Sequence, residues 1–131
     1  MKIAIVLNEK LGPGLLANAA ACITSGLFNK EADLLGIEIQ GKDITFIPIT
    51  KIPILILKKQ NKAWSELLGR AKKHALKYML FTKEGQSTTS YEEYIERVNS
   101  KDISQIEVVG IGVLGDDKLV SRFSGDLPLL R

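Results

Sequence analysis

The chain opens on an unbroken apolar run, Ile3 to Leu7, which is the pattern of a short strand buried on both faces. From Gly12 to Gly26 the only polar side chains are Asn18, Thr24 and Ser25, while Pro13 suits a first helical position and Gly26 a left-handed terminator. A helix that apolar, with Ala17, Ala19, Ala20 and Ala21, is expected to be covered on most sides and packed closely. Leu35–Gln40 and Asp43–Ile47 each alternate apolar and polar around a Gly41–Lys42 turn, predicting a hairpin. Pro48 and Pro53 restrict Ile49–Ile52 to an edge or a connection, and Ile54–Leu57 reads as a short buried strand. Asn61 is a fitting cap for a second helix in which Trp64, Leu67, Leu68, Ala71, Ala75 and Tyr78 recur at helical spacing. Met79–Thr82 predicts a strand, Lys83–Thr89 a polar loop, and Ser90 with Glu93 a capping box for a third helix striped by Tyr91, Tyr94, Ile95 and Val98. Ile106–Leu114 is the last long strand, followed by short apolar segments around Gly125 and Pro128. Strands alternating with helices predict one α/β domain over residues 1–131, with a mixed sheet whose first and last strands lie centrally.

Composition narrows the class. With 45% apolar and 25% charged residues the chain has the make-up of an ordinary globular domain. One cysteine, Cys22, and one histidine, His74, supply neither an internal disulfide nor a nitrogen and sulfur set for zinc. A reducing cytoplasm is the expected compartment. The first apolar run is too short for a signal peptide, and no run approaches the ~20 residues of a membrane span. Net charge is +3, but Lys58–Lys77 holds seven basic residues against the single acid Glu66. That segment is the footprint either of a polyanion site, such as one for RNA, or of a solvated helix face.

Candidate chemistry is sparse. Gly110, Gly112 and Gly115 spell G-x-G-x-x-G after a strand, but the residues beyond do not open a long amphipathic helix and too few remain for a further βαβ half. Close approach of another element, the alanine face of the first helix, explains these glycines better. The strand-to-helix turn with Gly12 and Gly14 presents free backbone N–H groups and a positive helix end, and Asn18 lies one turn inside. Cys22 shares the Asn18 face and reads as a small core residue, and His74 as an exposed one. Lys83, Glu84, Gln86, Ser87 and Thr88 gather an amine, a carboxylate, an amide and hydroxyls in one short stretch.

The opening IVLNEKLGPGLLANAAA and the ending VVGIGVLGDDKLVSRFSGDLPLL resemble the two ends of the type II peptidyl-tRNA hydrolase fold. The whole chain, including FTKEGQSTTSYEEY, resembles an uncharacterised bacterial family assigned to that fold. The resemblance implies a three-layer α/β/α domain with a small mixed sheet and, by analogy, a homodimer. It does not bring the hydrolase residues with it. The lysine, glutamine and histidine that such hydrolases carry on the first helix correspond to Leu15, Ala19 and Cys22, and their aspartate-alanine-glycine loop falls on Lys83, Glu84 and Gly85. Leucine and alanine neither polarise an ester nor position water.

The expectation is therefore a binding protein for a small polar or anionic ligand, held by Gly12, Gly14, Asn18, Lys83, Glu84, Gln86, Ser87 and Thr88. No catalytic residue, metal ligand or cofactor is assigned. Two alternatives stand beside it: a hydrolase of a tRNA-linked or similar ester, with Lys58–Lys77 gripping phosphates, and a structural oligomerisation module.

Overall fold

The computed structural model describes all 131 residues. Its elements are β1 (Lys2–Leu7), α1 (Pro13–Leu27), β2 (Ile39–Gln40), β3 (Thr45–Phe46), β4 (Ile54–Lys58), α2 (Trp64–Lys73), β5 (Lys77–Thr82), α3 (Lys83–Ser87), α4 (Tyr91–Asn99), β6 (Val108–Gly115) and α5 (Asp117–Ser124). Four strands form one sheet in the order β4-β1-β6-β5. β1 runs parallel to β4, and β6 lies antiparallel to both β1 and β5. The sheet is mixed because of β6. The expected hairpin, β2–β3, takes no part in that sheet and forms a separate two-stranded ribbon.

Three layers follow from the direction of the chain. β1 to β4 moves one way across the sheet and β4 to β5 moves back, and right-handed crossovers then send the connecting helices to opposite faces. On one face Ile3, Ile5, Leu7 and Val109 pack with Ala19, Ile23 and Leu27 of α1. On the other, Ala4, Val6, Ile111 and Val113 pack with Leu67 and Ala71 of α2 and Val120 and Phe123 of α5. β1 and β6 are central and almost wholly buried, as their continuous apolar runs require. β4 is an edge strand, and the C-terminal tail covers it: Lys58 N donates to Pro128 O at 2.9 Å and Leu130 N to Ile56 O at 2.9 Å.

Several expectations from the pattern change. α1 is buried along one stripe only, Ala19, Ile23 and Leu27, while Leu15, Ala17, Asn18 and Ala21 remain exposed. Its alanines thin the outer face instead of seating it in a surround. Gly26 lies inside the helix, where a Cβ would come within 2.1 Å of Met79 Sδ; the residue with positive φ after the helix is Lys30. The β6 glycines do admit α1, but through Ile23 and Leu27: a Cβ on Gly112 would meet Ile23 Cγ2 at 2.2 Å and Leu27 Cδ1 at 2.9 Å. α2 begins after Ala63 without a side-chain cap and ends at Lys73, so Asn61 is no cap and Tyr78 belongs to β5. His74 caps the C-terminus of α2 half-buried. The tail forms a short amphipathic helix, α5, capped by Asp116.

Residues 37–49 leave the body as an arm. Its base is closed by Gly36 N donating to Ile49 O at 2.7 Å and Lys51 N to Leu34 O at 2.8 Å, and its tip by Gly41 N donating to Ile44 O at 2.9 Å.

Candidate ligand cleft

The chain passes from β5 into a helix with no loop between them. Thr82 is the N-cap of α3, its hydroxyl accepting from Gly85 N at 3.3 Å, so the stretch expected as a loop is one turn and a half of helix. The polar residues there are engaged one by one. Ser87 Oγ donates to Lys83 O at 2.7 Å and Thr88 Oγ1 donates to Glu84 O, both closing the helix on itself. Gln86 Nε2 donates to Leu15 O at 3.0 Å and to Asn18 Oδ1 at 3.4 Å, tying α3 to the first turns of α1. That bond brings together the two candidate stretches.

Glu84 is buried, at 8% exposure. Its Oε1 accepts from Lys101 Nζ at 3.3 Å and from Glu107 N at 3.4 Å, clamping the segment before β6 onto α3, while Oε2 is buried without a partner. Burial pushes the Glu84 carboxyl up, but its own backbone N–H, Lys101 and the Glu107 N–H together hold it below its ordinary value. Lys83, Glu84, Ser87, Arg97, Lys101 and Glu107 line a hollow of about 300 Å³ with no apolar wall. Each cation in it already faces an acid: Lys83 with Glu107 at 3.9 Å, Arg97 with Glu93 at 2.7 Å, Lys101 with Glu84 at 3.3 Å. The hollow is an ion-pair network of near-balanced charge.

On the other side of α3 lies a different space. A cleft of about 370 Å³ runs between α1, β5 and the α3–α4 segment. Met79, Phe81, Tyr91 and Tyr94 give it an apolar and aromatic wall; Ser25, Thr88, Thr89 and Ser90 give hydroxyls, and Cys22 a thiol. No charged side chain lines it. Ser25 donates to Cys22 O, and Ser90 to the Glu92 carboxylate, so those two hydroxyl protons serve the fold. The phenols of Tyr91 and Tyr94, the Thr89 hydroxyl and the Cys22 thiol are the groups offered to a guest. Gly85 sets the width: a Cβ there would stand 3.1 Å from Tyr94 Cε1 and 3.4 Å from Phe81 Cε1.

Of the residues expected to bind, Thr88 lines this cleft. Asn18 and Gln86 join the helices beside it, Lys83, Glu84 and Ser87 face the ionic hollow, and Gly12 and Gly14 stand in open space at the helix start. Met79, Phe81, Tyr91, Tyr94, Ser25 and Thr89 escaped the sequence reading. The two tyrosines were legible only as a helical stripe, their rings packing at 5.8 Å between centroids. The capping box of α4 is half formed: Ser90 Oγ accepts from Glu93 N, but the Glu93 carboxylate turns to Arg97.

The basic segment disperses over the molecule. Arg70 binds Asp126 with both terminal nitrogens at 2.7 and 2.9 Å, and Lys62 reaches the same carboxylate at 3.2 Å. Lys77 turns to Asn29 O and Glu31 on the α1 side, and Lys59 sits over the Trp64 ring. No three His, Cys, Asp or Glu side chains gather as metal ligands. No helix is long and apolar enough to cross a membrane.

Residues 1–131 match the family described as protein of unknown function DUF2000. The chain belongs to that family. A solved protein of unknown function, Atu0240 from Agrobacterium tumefaciens strain C58, shares the fold with a TM-score of 0.86 at 19% identity, over 98% of this chain and 96% of that one. No curated protein matches. This DUF2000 chain is thus an uncharacterised α/β protein with a mixed sheet.

Proposed function

We propose that the protein binds a small, uncharged, hydrogen-bonding molecule with one apolar face, in the cleft between α1 and the α3–α4 segment. The observation that carries this reading is the lining: an aromatic wall facing hydroxyls and a thiol, without a charge, around a space of about 370 Å³. That combination of apolar walls with a few directed polar groups is typical of small-molecule sites. It favours the polar half of the expected ligand class over the anionic half, because the nearby cations are already paired. The cleft thiol fits a reducing compartment.

The likeness to type II peptidyl-tRNA hydrolases is one of sequence pattern and would extend to the fold alone. By that resemblance Leu15, Ala19 and Cys22 stand where those enzymes carry their lysine, glutamine and histidine, and Glu84, the one acid of α3, is buried with Oε1 held by Lys101 and Glu107 N, which weighs against a catalytic base reaching a substrate from α1 or α3. RNA binding through Lys58–Lys77 has weaker support, since Arg70, Lys62 and Lys77 are held in ion pairs.

The test is a panel of nucleosides, sugars and aromatic amides, alongside phosphates and dicarboxylates, titrated by calorimetry. A neutral compound is expected to bind, with binding lost when Ser25→Phe fills the cleft and kept in Arg97→Ala. Binding of anions alone, abolished by Arg97→Ala and untouched by Ser25→Phe, moves the site to the ionic hollow and defeats this reading. Peptidyl-tRNA turnover that disappears in Lys83→Ala would replace it with the hydrolase.

A further inference from the structure

The arm of residues 37–49 is built against the usual rule of burial. Ile37, Ile39, Ile44, Phe46, Ile47 and Ile49 are 80, 58, 62, 53, 77 and 75% exposed, and nothing in the chain covers them. β2 and β3 pair over two residues each, Ile39 with Phe46 and Gln40 with Thr45, so the ribbon holds its shape by little more than its closing turn and base. A two-stranded ribbon of that length is not stable by itself in water. A large exposed apolar patch on a folded domain marks an interaction surface.

We infer that the arm is a self-association surface whose occupant is the arm of a second copy of this chain. Three observations select that partner. The six side chains together expose on the order of 700 Å², close to the ~800 Å² per partner of a standard stable interface. The arm carries little charge, Glu38 and Asp43 against Lys42 with Lys51 just beyond its base, so two copies meet with little repulsion although the whole chain is basic. The arm also carries both halves of a contact: Ile37, Ile39, Phe46, Ile47 and Ile49 line a groove of about 540 Å³, and Ile44 projects at the tip outside it. A two-fold axis places each tip in the other groove, which closes the assembly at two copies. This surface is separate from the cleft.

The full chain is to be measured by sedimentation equilibrium and light scattering over a dilution series up to about 100 µM. The expected result is a dimer that becomes monomeric in Ile44→Asp and in Ile47→Asp, with dissociation weakened affinity of about 30-fold or more. Both positions are exposed in the single chain, so their far-ultraviolet circular dichroism is expected to match the wild type. Ile103→Asp, on an exposed side chain outside the arm, is expected to leave the dimer intact. A wild-type monomer throughout the series overturns the inference. So does a dimer that survives both arm substitutions, which would place the interface elsewhere. Arm-dependent flotation of a monomer with neutral phosphatidylcholine vesicles would overturn it as well, making the occupant a lipid surface.

Discussion

The two faces of the sheet are covered in different ways. Over one, α2 and α5 share the work and are locked to each other: Arg70 grips Asp126 and donates to Phe123 O at 3.0 Å, with Glu66 at 3.0 Å on the same guanidinium. Over the other, α1 alone spans β1, β6 and β5, and α4, which buries no residue completely, stands off behind α3. The interlocked pair closes that face over β1 but leaves a hollow of about 480 Å³ between α2, Leu80 and Ile106, which Lys72 borders, whereas one helix and an ill-buried neighbour leave the uncharged cleft over Met79 and Phe81. The cleft on the α1 side thus takes its shape from how one helix fits the sheet, with Gly110, Gly112 and Gly26 setting how near α1 can come to the sheet and to Met79.

The comparison breaks most sharply at Gly112, which admits Ile23 and Leu27. Gly112→Ala is expected to cost about 2–3 kcal/mol in urea unfolding, because a branched side chain on a packed helix yields poorly. Gly115→Ala, which meets the flexible end of Leu76 at 2.5 Å on the opposite face, is expected to cost distinctly less. Equal losses would mean that both layers yield alike.

The lock on the other face is worth less. Arg70→Ala is expected to destabilise by about 1–2 kcal/mol in the same experiment, by losing a charged contact and packed stem together. Its partner gives a signature in acid. Hydrogen bonding from Arg70, and then from Lys62, holds the Asp126 carboxyl far below the ordinary carboxylate range. A depressed carboxyl contributes stability above its unfolded pKa of about 4 and loses it as pH falls through the folded value. Stability of the wild type should therefore decline below about pH 4, and Asp126→Asn should flatten that limb by up to about 1 kcal/mol, a modest figure because the side chain is half-exposed. An unchanged limb would discount the pair.

The smallest effect on stability is predicted at Gly26. Alanine gains up to ~1 kcal/mol of helix propensity and displaces the soft Met79 side chain, so the net change is expected within about 0.5 kcal/mol. The displaced thioether goes toward the cleft it lines. Cys22, on the cleft wall, should then react more slowly with a small thiol reagent, and an unchanged rate would separate Gly26 from the cleft.

Much of the fold could be read from apolar runs, since β1 and β6 are buried on both faces, but the equally unbroken Ile54–Leu57 belongs to the edge strand β4 and is only half-buried. α1 was legible as a helix but not in its burial, because an alanine reads as apolar whether it faces the core, as Ala19 does, or solvent, as Ala17 and Ala21 do. The stretch Lys83–Thr89 misled through composition: a cap from Thr82 and hydroxyls bonding back to carbonyls make a helix out of residues that favour loops. The cleft was hidden for a different reason. Its walls come from β5, α1 and α4, and no local spacing relates Cys22 to Tyr94. The arm was visible as a hairpin, but alternation promised a buried side that the chain does not provide.

The position of β6 bears on how the molecule is made. Strand pairing at the middle of the sheet joins Lys2 to Gly115, more than a hundred residues apart in sequence, so β4–β1 and β5 form no common sheet without β6. Closing so long a loop is costly in entropy and slow. Until residues 108–115 are in place β1 and β5 each lack a partner along one edge, so the sheet is expected to complete late in folding, with unpaired strand edges exposed before it.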